Sequence, residues 1–272
     1  MSEQLMSKVS GVSLPGALQP PKWNLVSTRT TQFAYFTNAL GSPVWRDRKI
    51  LDFGGNIGTF LVGAGNQVAH QNYWCLDVNQ TVVERGRKNF PQAHFVHFNR
   101  YNSQFNPEGI RFLRVPDLRV EFDYILAFSV FTHTDRSEMI ELVEQLRAML
   151  APGGALAFTF CDARYDRTVS DPTLFPASDV RKNLERERHR NSSSDIDLLV
   201  ERAFGADWCV VIDEDVHVNP GDELNHQRRA GRPLESYCSY FTTGYMSTLF
   251  PDAEIRSPVR PEWQHCCILR RE

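Results

Sequence analysis

The stretch ILDFGGNIGTF, Ile50 to Phe60, joins an apolar strand to a glycine-rich turn and then to an apolar helix. This strand–turn–helix order is typical of ligand-binding loops in α/β proteins. Two of its residues are unusual for such a loop. The carboxylate of Asp52 directly precedes the glycines, and Asn56 stands where a further glycine would be expected. The ligand of this loop must therefore tolerate a nearby negative charge.

Three kinds of loop compete for this stretch. A dinucleotide fingerprint starting at Gly54 needs glycines at positions 56 and 59, where the chain has Asn56 and Thr59. A phosphate-binding P-loop needs a lysine after the glycines, and none follows. Asp52 would also repel a pyrophosphate at the start of the helix. The pattern favours the third kind, a loop that holds a nucleoside without phosphates, such as S-adenosylmethionine (SAM) with its ammonium and sulfonium groups.

Strands and helices alternate on both sides of this loop, and several apolar runs lack polar alternation. Such runs indicate strands buried on both faces, in a parallel sheet covered by helices. Ligands of these sheets bind beyond the carboxyl ends of the strands. The pattern predicts strands over 49–53, 72–78, 93–99, 122–130 and 155–162, and helices over 57–70, 80–90 and 137–150.

We expect four segments along the chain. Residues 1–45 form an N-terminal extension with a helix over 27–40, and residues 46–162 form the ligand-binding α/β core. The alternation breaks over 163–236, which we interpret as an insertion or lid. Residues 237–272 complete the core, with a helix over 240–250 and strands over 253–259 and 263–271.

An acidic residue ends the second predicted strand. Asp77 closes the run NYWCLDV and lies 19 positions after Gly58 (77 − 58). A carboxylate at this place can accept hydrogen bonds from both hydroxyls of a ribose. NAD-dependent enzymes share this acid, so it distinguishes SAM from NAD only together with Asp52 and the incomplete glycine fingerprint.

Four stretches, ILDFGGNIG, CLDVN, FDYILAFSVFTH and LRAMLAPGGALAFTF, resemble the successive motifs of class I SAM-dependent methyltransferases, over about residues 49–162. The ending YFTTGYMSTLFPDAEIRSPVRPEWQHCCILR resembles their last helix and strand pair. The resemblance implies a Rossmann-like, doubly wound sheet of seven strands with an antiparallel last strand. An N-terminal helical segment and an insertion between strands 5 and 6 would be added to it. The implied cofactor is SAM.

The resemblance also implies a set of cofactor-binding residues. The glycine-rich loop would line the methionine part of SAM, and Asn56 replaces the usual middle glycine there, next to an additional Gly55. Asp77 would bind the ribose, and Val78 would pack on the adenine. Asn99 occupies the position at which an aspartate usually accepts a hydrogen bond from the adenine amino group. The complete set is Asp52, Gly54, Gly55, Asn56, Gly58, Asp77, Val78, Asn99, Phe128 and Ser129.

Methyl transfer to a hydroxyl group calls for a base, and histidine is suited to this role because its pKa lies near neutrality. His133 follows the fourth strand and His265 opens the last one, so both are expected at the ligand edge of the sheet as catalytic candidates. Asp213, Asp215 and His217 would share one face of a strand. We expect them to be a solvated face, and no metal site is predicted.

Composition narrows the function further. The net charge of −3 argues against a nucleic-acid footprint, and the position after the fourth strand reads AFSVFTH, without the motif of enzymes that methylate base amino groups. Six scattered cysteines and the lack of a long apolar run favour a cytoplasmic protein with no membrane segment. We expect O-methylation of a small metabolite or natural-product intermediate. N- or C-methylation, a non-catalytic SAM-fold protein and an NAD(P)-dependent oxidoreductase remain alternatives, and the oligomeric state stays open.

Overall fold

The computed structural model describes residues 31–164, 196–212, 215–220, 237–258 and 264–272. The start of the predicted helix over 27–40 and residue 263 of the predicted last strand lie outside these ranges. The described elements are α1 (Gln32–Ala39), β1 (Ile50–Phe53), α2 (Thr59–Ala64), β2 (Tyr73–Asp77), α3 (Gln80–Asn89), β3 (His94–His97), β4 (Phe122–Ala127), α4 (Arg136–Arg147), β5 (Leu150–Phe160), α5 (Ile196–Gly205), β6 (Trp208–Ile212), β7 (Asp215–Val218), β8 (Tyr237–Phe241), α6 (Thr243–Leu249), β9 (Glu254–Arg256) and β10 (His265–Arg270).

The main sheet has seven strands in the order β3-β2-β1-β4-β5-β10-β9. Strands β1 to β5 pair in parallel, whereas β10 runs antiparallel to both β5 and β9. The predicted fold class, with its antiparallel last strand and its insertion between strands 5 and 6, is therefore confirmed. Because β10 is reversed, its first residues lie at the edge where the parallel strands end.

Each face of the main sheet is covered by its own hydrophobic core. Helices α1, α2 and α3 pack on one face and α4 and α6 on the other. Successive strand residues alternate between the two cores, as the pleat of a strand requires. Cys266 belongs to the first core and Cys267 to the second, so the adjacent cysteines face opposite sides.

The helices that follow β2 and β4 begin at side-chain caps near the ligand edge. The Asn79 side chain accepts hydrogen bonds from the N–H groups of Thr81 and Val82, and Asp135 accepts one from Glu138 over 2.8 Å. Such caps satisfy N–H groups that the helix itself leaves unpaired. They also fix where each strand turns away from the sheet edge.

A second, three-stranded antiparallel sheet is formed in the order β7-β6-β8. Trp208 and Phe241 pair across β6 and β8 with stacked rings, and both pack into the core on the α4 side. The helix predicted over 240–250 is therefore corrected: Tyr240 and Phe241 belong to a strand, and α6 begins only after the capping residue Thr242. The aromatic run YCSYF suits a half-buried strand better than a helix. This sheet thus extends past residue 236, into the segment expected to complete the main core.

Candidate functional site

A cavity of about 410 Å³ lies beyond the carboxyl ends of the parallel strands. Its wall is formed by the segments that follow β1, β2, β3 and β4, together with the first residue of α1 and the residue before β10. This is the edge at which ligands of parallel α/β sheets bind. A volume of this order suits a ligand of the size of a nucleoside. Of the predicted site residues, six of the cofactor set and one histidine lie on this wall: Gly54, Asn56, Asp77, Val78, Phe128, Ser129 and His133.

The glycine-rich loop reaches the cavity through Gly54 and Asn56. Gly54 has φ +75°, and a Cβ there would lie 2.4 Å from the Cγ2 atom of Val130, so only glycine fits. Asn56 has φ +56°, a left-handed conformation that asparagine adopts more readily than most residues. Its Oδ1 atom accepts a hydrogen bond from the Ile57 N–H over 2.8 Å. Asparagine can therefore replace the usual glycine without a change of loop conformation.

Asp77 at the end of β2 ties this loop to the next one. One carboxylate oxygen accepts a hydrogen bond from the Asn56 N–H over 2.9 Å, and the other accepts one from the Asn79 N–H over 2.8 Å. Burial raises the pKa of Asp77, and these two N–H groups together with the charge of His97 oppose the rise. Each oxygen keeps a further lone pair for a ligand donor.

Asp52 does not lie on the cavity wall. Its side chain points into the core on the α1–α3 side, where it accepts a hydrogen bond from the Tyr73 hydroxyl over 2.6 Å. Burial raises the pKa of Asp52 to about 7. Asp52 lies within strand β1 rather than after it, so alternation directs it away from Phe53, which does line the cavity. The expected contact between this carboxylate and the ligand is thus absent from the geometry.

Gly55 and Gly58 also support the loop from below rather than line the cavity. A Cβ at Gly55 would lie 2.5 Å from Cγ of Asp52, and one at Gly58 would lie 3.1 Å from the Phe95 ring. Gly58 has φ +89° and precedes helix α2. Both glycines allow the loop to pack closely on β1 and β3.

At the end of β3, the residue on the cavity wall is Arg100 and not its predicted neighbour Asn99. The Asn99 side chain accepts a hydrogen bond from the Asn106 amide and is not on the wall, whereas Arg100 is. The buried guanidinium donates to Glu138 over 3.0 Å and to Glu141 over 2.8 Å. Arg100 and Glu138 were not expected at the site, because the sequence alone does not show which charged residues form a buried ion pair.

Ser129 and Phe128 follow β4 and contact the start of β10 and helix α1. Ser129 has φ +55°, and its hydroxyl accepts a hydrogen bond from the Gln264 side chain over 3.2 Å. The Gln264 carbonyl in turn accepts a hydrogen bond from the Tyr35 hydroxyl over 2.9 Å. The Tyr35 and Phe128 rings meet edge to face at 5.3 Å. Gln264 was missed by the sequence analysis, which singled out its neighbour His265.

His265 belongs to a different depression. It is buried, stacks on the Phe160 ring at 5.3 Å, and faces a shallow pocket shared with Asp162 and Arg164. Burial lowers the pKa of His265, and the charge of Asp162 opposes this. Gln264 and His265 point to opposite sides because they are successive residues in extended backbone. The expectation that His265 lies at the ligand cavity is therefore corrected.

His133 lies on the cavity wall after β4, in a short 3₁₀ turn. Its Nδ1 atom is 2.9 Å from the backbone oxygen of Tyr237, the first residue of β8. A carbonyl oxygen can only accept, so Nδ1 carries the proton and Nε2 of the neutral ring has the lone pair. The Phe105 ring packs edge-on against the imidazole at 5.0 Å. Burial lowers the pKa of His133 to about 4 and keeps the ring neutral near pH 7.

Two further observations concern metals and membranes. No group of three His, Cys, Asp or Glu side chains within the described residues is arranged to hold a metal ion, although Asp213 and the Asp215 side chain lie outside them. None of the helices described here combines the length and hydropathy needed to cross a bilayer.

Comparison with solved structures gives distant matches. A SAM-dependent methyltransferase from Clostridium acetobutylicum is 10% identical with a TM-score of 0.47, over 88% of this chain and 89% of its own. The amino pentose methyltransferase CalS10 from Micromonospora echinaspora is 15% identical with a TM-score of 0.44, over 83% and 84%. The protein DhpI, in complex with SAH, is 11% identical with a TM-score of 0.49, over 87% and 82%. No curated protein matches the sequence significantly.

A family model matches part of the chain. Residues 51–156 match the model described as a methyltransferase domain. The matched region runs from β1 into β5 and contains the glycine-rich loop, Asp77 and His133. Residues 51–156 therefore form a methyltransferase domain, and the strand order of the main sheet is consistent with that of class I SAM-dependent methyltransferases, whose cofactor is S-adenosylmethionine.

Proposed function

We propose that the protein methylates a hydroxyl group of a small-molecule metabolite or natural-product intermediate. When bound, SAM supplies a methyl group on a sulfonium, which a nucleophile can displace in line. The enzyme then has to orient the nucleophile, exclude water and remove one proton. The observation that carries the proposal is the neutral His133 ring on the cavity wall, with its Nδ1 proton directed to Tyr237 and its Nε2 lone pair available.

The cofactor would be held by the residues that follow β1, β2 and β4. Asp77 would accept the ribose hydroxyls, because both of its oxygens are already oriented by backbone N–H groups. Val78 would pack against the adenine, and Gly54 would let the ligand approach the backbone closely. The residues fit this assignment because, in the described part of the chain, Arg100 is the one lysine or arginine on the wall, and it is already paired with Glu138 and Glu141.

The acceptor substrate would lie near His133 and Phe105. The Phe105 side chain is 48% exposed although it contacts the imidazole, so an apolar substrate could cover it. Asn102 holds the His133 backbone carbonyl over 3.1 Å and keeps this turn in place. We further propose that residues 163–236 act as a lid, since β8, just after them, supplies the carbonyl that orients His133.

A nitrogen acceptor is the second candidate. The low pKa of His133 makes it a weak base, and a neutral amine needs no strong base because it attacks the methyl group through its lone pair and loses its proton only afterwards, from the ammonium product. Because Arg100 and Glu138 neutralise each other, Asp77 leaves this wall with a negative charge that would attract a protonated amine before it loses its proton and reacts.

The test is a transfer assay with methyl-labelled SAM and a fractionated cell extract. We expect label in the small-molecule fraction, on a methyl ether when the product is analysed by mass spectrometry and NMR. An N-methyl product would establish the second candidate instead. Label confined to RNA or protein, or no transfer at all despite SAM binding, would overturn the proposal.

A further inference from the structure

The first residue of α1 places a polar atom in the cavity wall that no other side chain uses. Gln32 lines the cavity, and its Oε1 atom is buried without a hydrogen-bond partner among the described residues. A buried carbonyl oxygen that has lost water without gaining a hydrogen-bond donor is unfavourable. Such an atom on a cavity wall indicates that a ligand supplies the missing donor.

Packing of α1 locates this atom within the cavity. Helix α1 lies against α2, because a Cβ at Gly63 of α2 would be only 2.9 Å from the side chain of Thr31. Three residues beyond Gln32, Tyr35 contacts Phe128 and the Gln264 carbonyl. Gln32 therefore belongs to the part of the wall near Phe128, at the end of β4.

Helix α1 and the strand that holds the predicted base pack on opposite faces of the main sheet. Helix α1 packs into the core on the α1–α3 face, whereas Tyr237, which holds His133, packs into the core on the opposite face. Asp77, at the end of β2, lies on the other side of β1 from β4 in the strand order. A ligand whose ribose meets Asp77 would thus extend its remaining end over β1 towards Gln32.

The carboxylate expected to accept hydrogen bonds from this end of the ligand is not on the cavity wall. Asp52 was expected to face the cationic end of SAM, but it is buried beneath the loop with Tyr73. We propose that Gln32 Oε1 instead accepts a hydrogen bond from the α-ammonium group of SAM, so that Gln32 is a binding residue for its amino-acid end. This inference rests on the proposed function, because it needs SAM in the cavity. A neutral oxygen can perform this role without adding another buried negative charge to a wall that already carries Asp77.

The test compares two ligands by calorimetry. S-adenosylhomocysteine carries the α-ammonium group, whereas 5′-methylthioadenosine has the same nucleoside without the amino-acid end. We expect Gln32→Met to weaken S-adenosylhomocysteine binding about 10- to 100-fold, the range for a hydrogen bond to a charged group, and to leave 5′-methylthioadenosine binding unchanged. Asn38→Leu, an exposed amide on the same helix, is the matched control and should change neither affinity.

A second variant fixes the sign of the interaction. Gln32→Glu keeps an acceptor oxygen and should retain S-adenosylhomocysteine affinity within about threefold, because a carboxylate also binds an ammonium. If Gln32→Glu weakens binding as much as Gln32→Met, the ammonium assignment is wrong. The proposal is also overturned if Gln32→Met weakens both ligands equally or neither. Failure of the unaltered protein to bind S-adenosylhomocysteine would instead refute the proposed function.

Discussion

The Nδ1 atom of His133 and the carbonyl oxygen of Tyr237 are 2.9 Å apart and connect the two sheets of the protein. His133 follows β4 of the main sheet, and Tyr237 opens β8 of the smaller sheet. The adjacent contact, in which the Ser239 hydroxyl donates to the Thr134 carbonyl, ties the same two segments together. The orientation of the predicted base therefore depends on a strand that lies outside the main sheet.

The first prediction concerns catalysis by His133. His133→Gln should lower turnover about 10²- to 10⁴-fold, the usual contribution of a general base, while S-adenosylhomocysteine affinity stays unchanged. Turnover of the unaltered enzyme should not decline between pH 7 and pH 6, where an ordinary histidine titrates, because burial lowers the pKa of His133 to about 4. The ring is protonated only as the pH approaches that value, so the acid limb should appear there.

The matched control for this prediction is His94→Gln. His94 also contacts a backbone carbonyl, that of Gln71 over 3.1 Å, but it lies at the start of β3, far from the ligand edge. Steady-state kinetics of both variants give the comparison. Equal turnover in His133→Gln and the unaltered enzyme would remove His133 as the base.

The second prediction concerns the loop conformation at Asn56. Asn56→Gly should keep ligand affinity and lower thermal stability only through the lost hydrogen bond from the Ile57 N–H, because glycine adopts φ +56° freely. Asn56→Ala should destabilise the protein by about 1 kcal/mol or more. Alanine is strained in the left-handed region, and its side chain cannot accept the hydrogen bond from the Ile57 N–H. Thermal unfolding of the two variants gives the order of stability. Equal stability of Asn56→Ala and Asn56→Gly would show that the positive φ is not required.

The third prediction concerns the buried ion pair at the cavity. Arg100→Met leaves Glu138 buried without its guanidinium partner and should lower the free energy of unfolding by about 3–5 kcal/mol. The double variant Arg100→Met/Glu138→Gln should recover much of this loss, because no uncompensated charge remains. Arg147→Met, which removes an exposed ion pair with Asp252, should change stability by less than about 1 kcal/mol. A loss at Arg100 no larger than at Arg147 would contradict the role of burial.

The fourth prediction concerns pH and the buried Asp52 carboxyl. The pKa of Asp52 is about 7 in the folded protein against 3.8 for the ordinary group, so the folded state binds the proton more tightly than the unfolded state. The stability that this proton contributes is fully present below the unfolded pKa and is lost as the pH rises through about 7. Asp52→Asn removes the titration, so its stability relative to the unaltered protein should increase from pH 4 to pH 7. Thermal unfolding of both proteins at each pH measures this difference. A stability difference that stays constant from pH 4 to pH 7 would contradict the raised pKa of Asp52.

The main sheet could be predicted from the sequence because apolar runs and a glycine-rich turn are local patterns, which can be read from neighbouring residues. Asp77, Val78 and Ser129 could be placed at the cavity for the same reason, since each follows a parallel strand. Asp52 was expected at the ligand, but the pleat of β1 directs it into the core, on the opposite side from its neighbour Phe53. The same alternation distinguishes Gln264 from His265, but only once the register with β5 is known.

Other features depended on contacts between distant parts of the chain. Gln32 lies 232 positions before Gln264 (264 − 32), yet both line one cavity. Arg100 forms ion pairs with Glu138 and Glu141 on α4, and no local sequence pattern predicts these pairs. The short strand β8 pairs with β6 across a long stretch of sequence, so the alternation of its five residues alone was a weak signal.

The central claim is that the cavity binds SAM through Asp77, and calorimetric titration with S-adenosylhomocysteine and NADH tests it most directly. We expect S-adenosylhomocysteine to bind the unaltered protein and NADH not to bind. Asp77→Asn should weaken S-adenosylhomocysteine about 10-fold or more, because charge-assisted hydrogen bonds to the ribose and the loop are lost. The control is Asp123→Asn, which should leave binding intact. Asp123 accepts a hydrogen bond from the Lys49 N–H at the opposite edge of the sheet. Binding of NADH without S-adenosylhomocysteine, or equal affinity in Asp77→Asn, would contradict the claim.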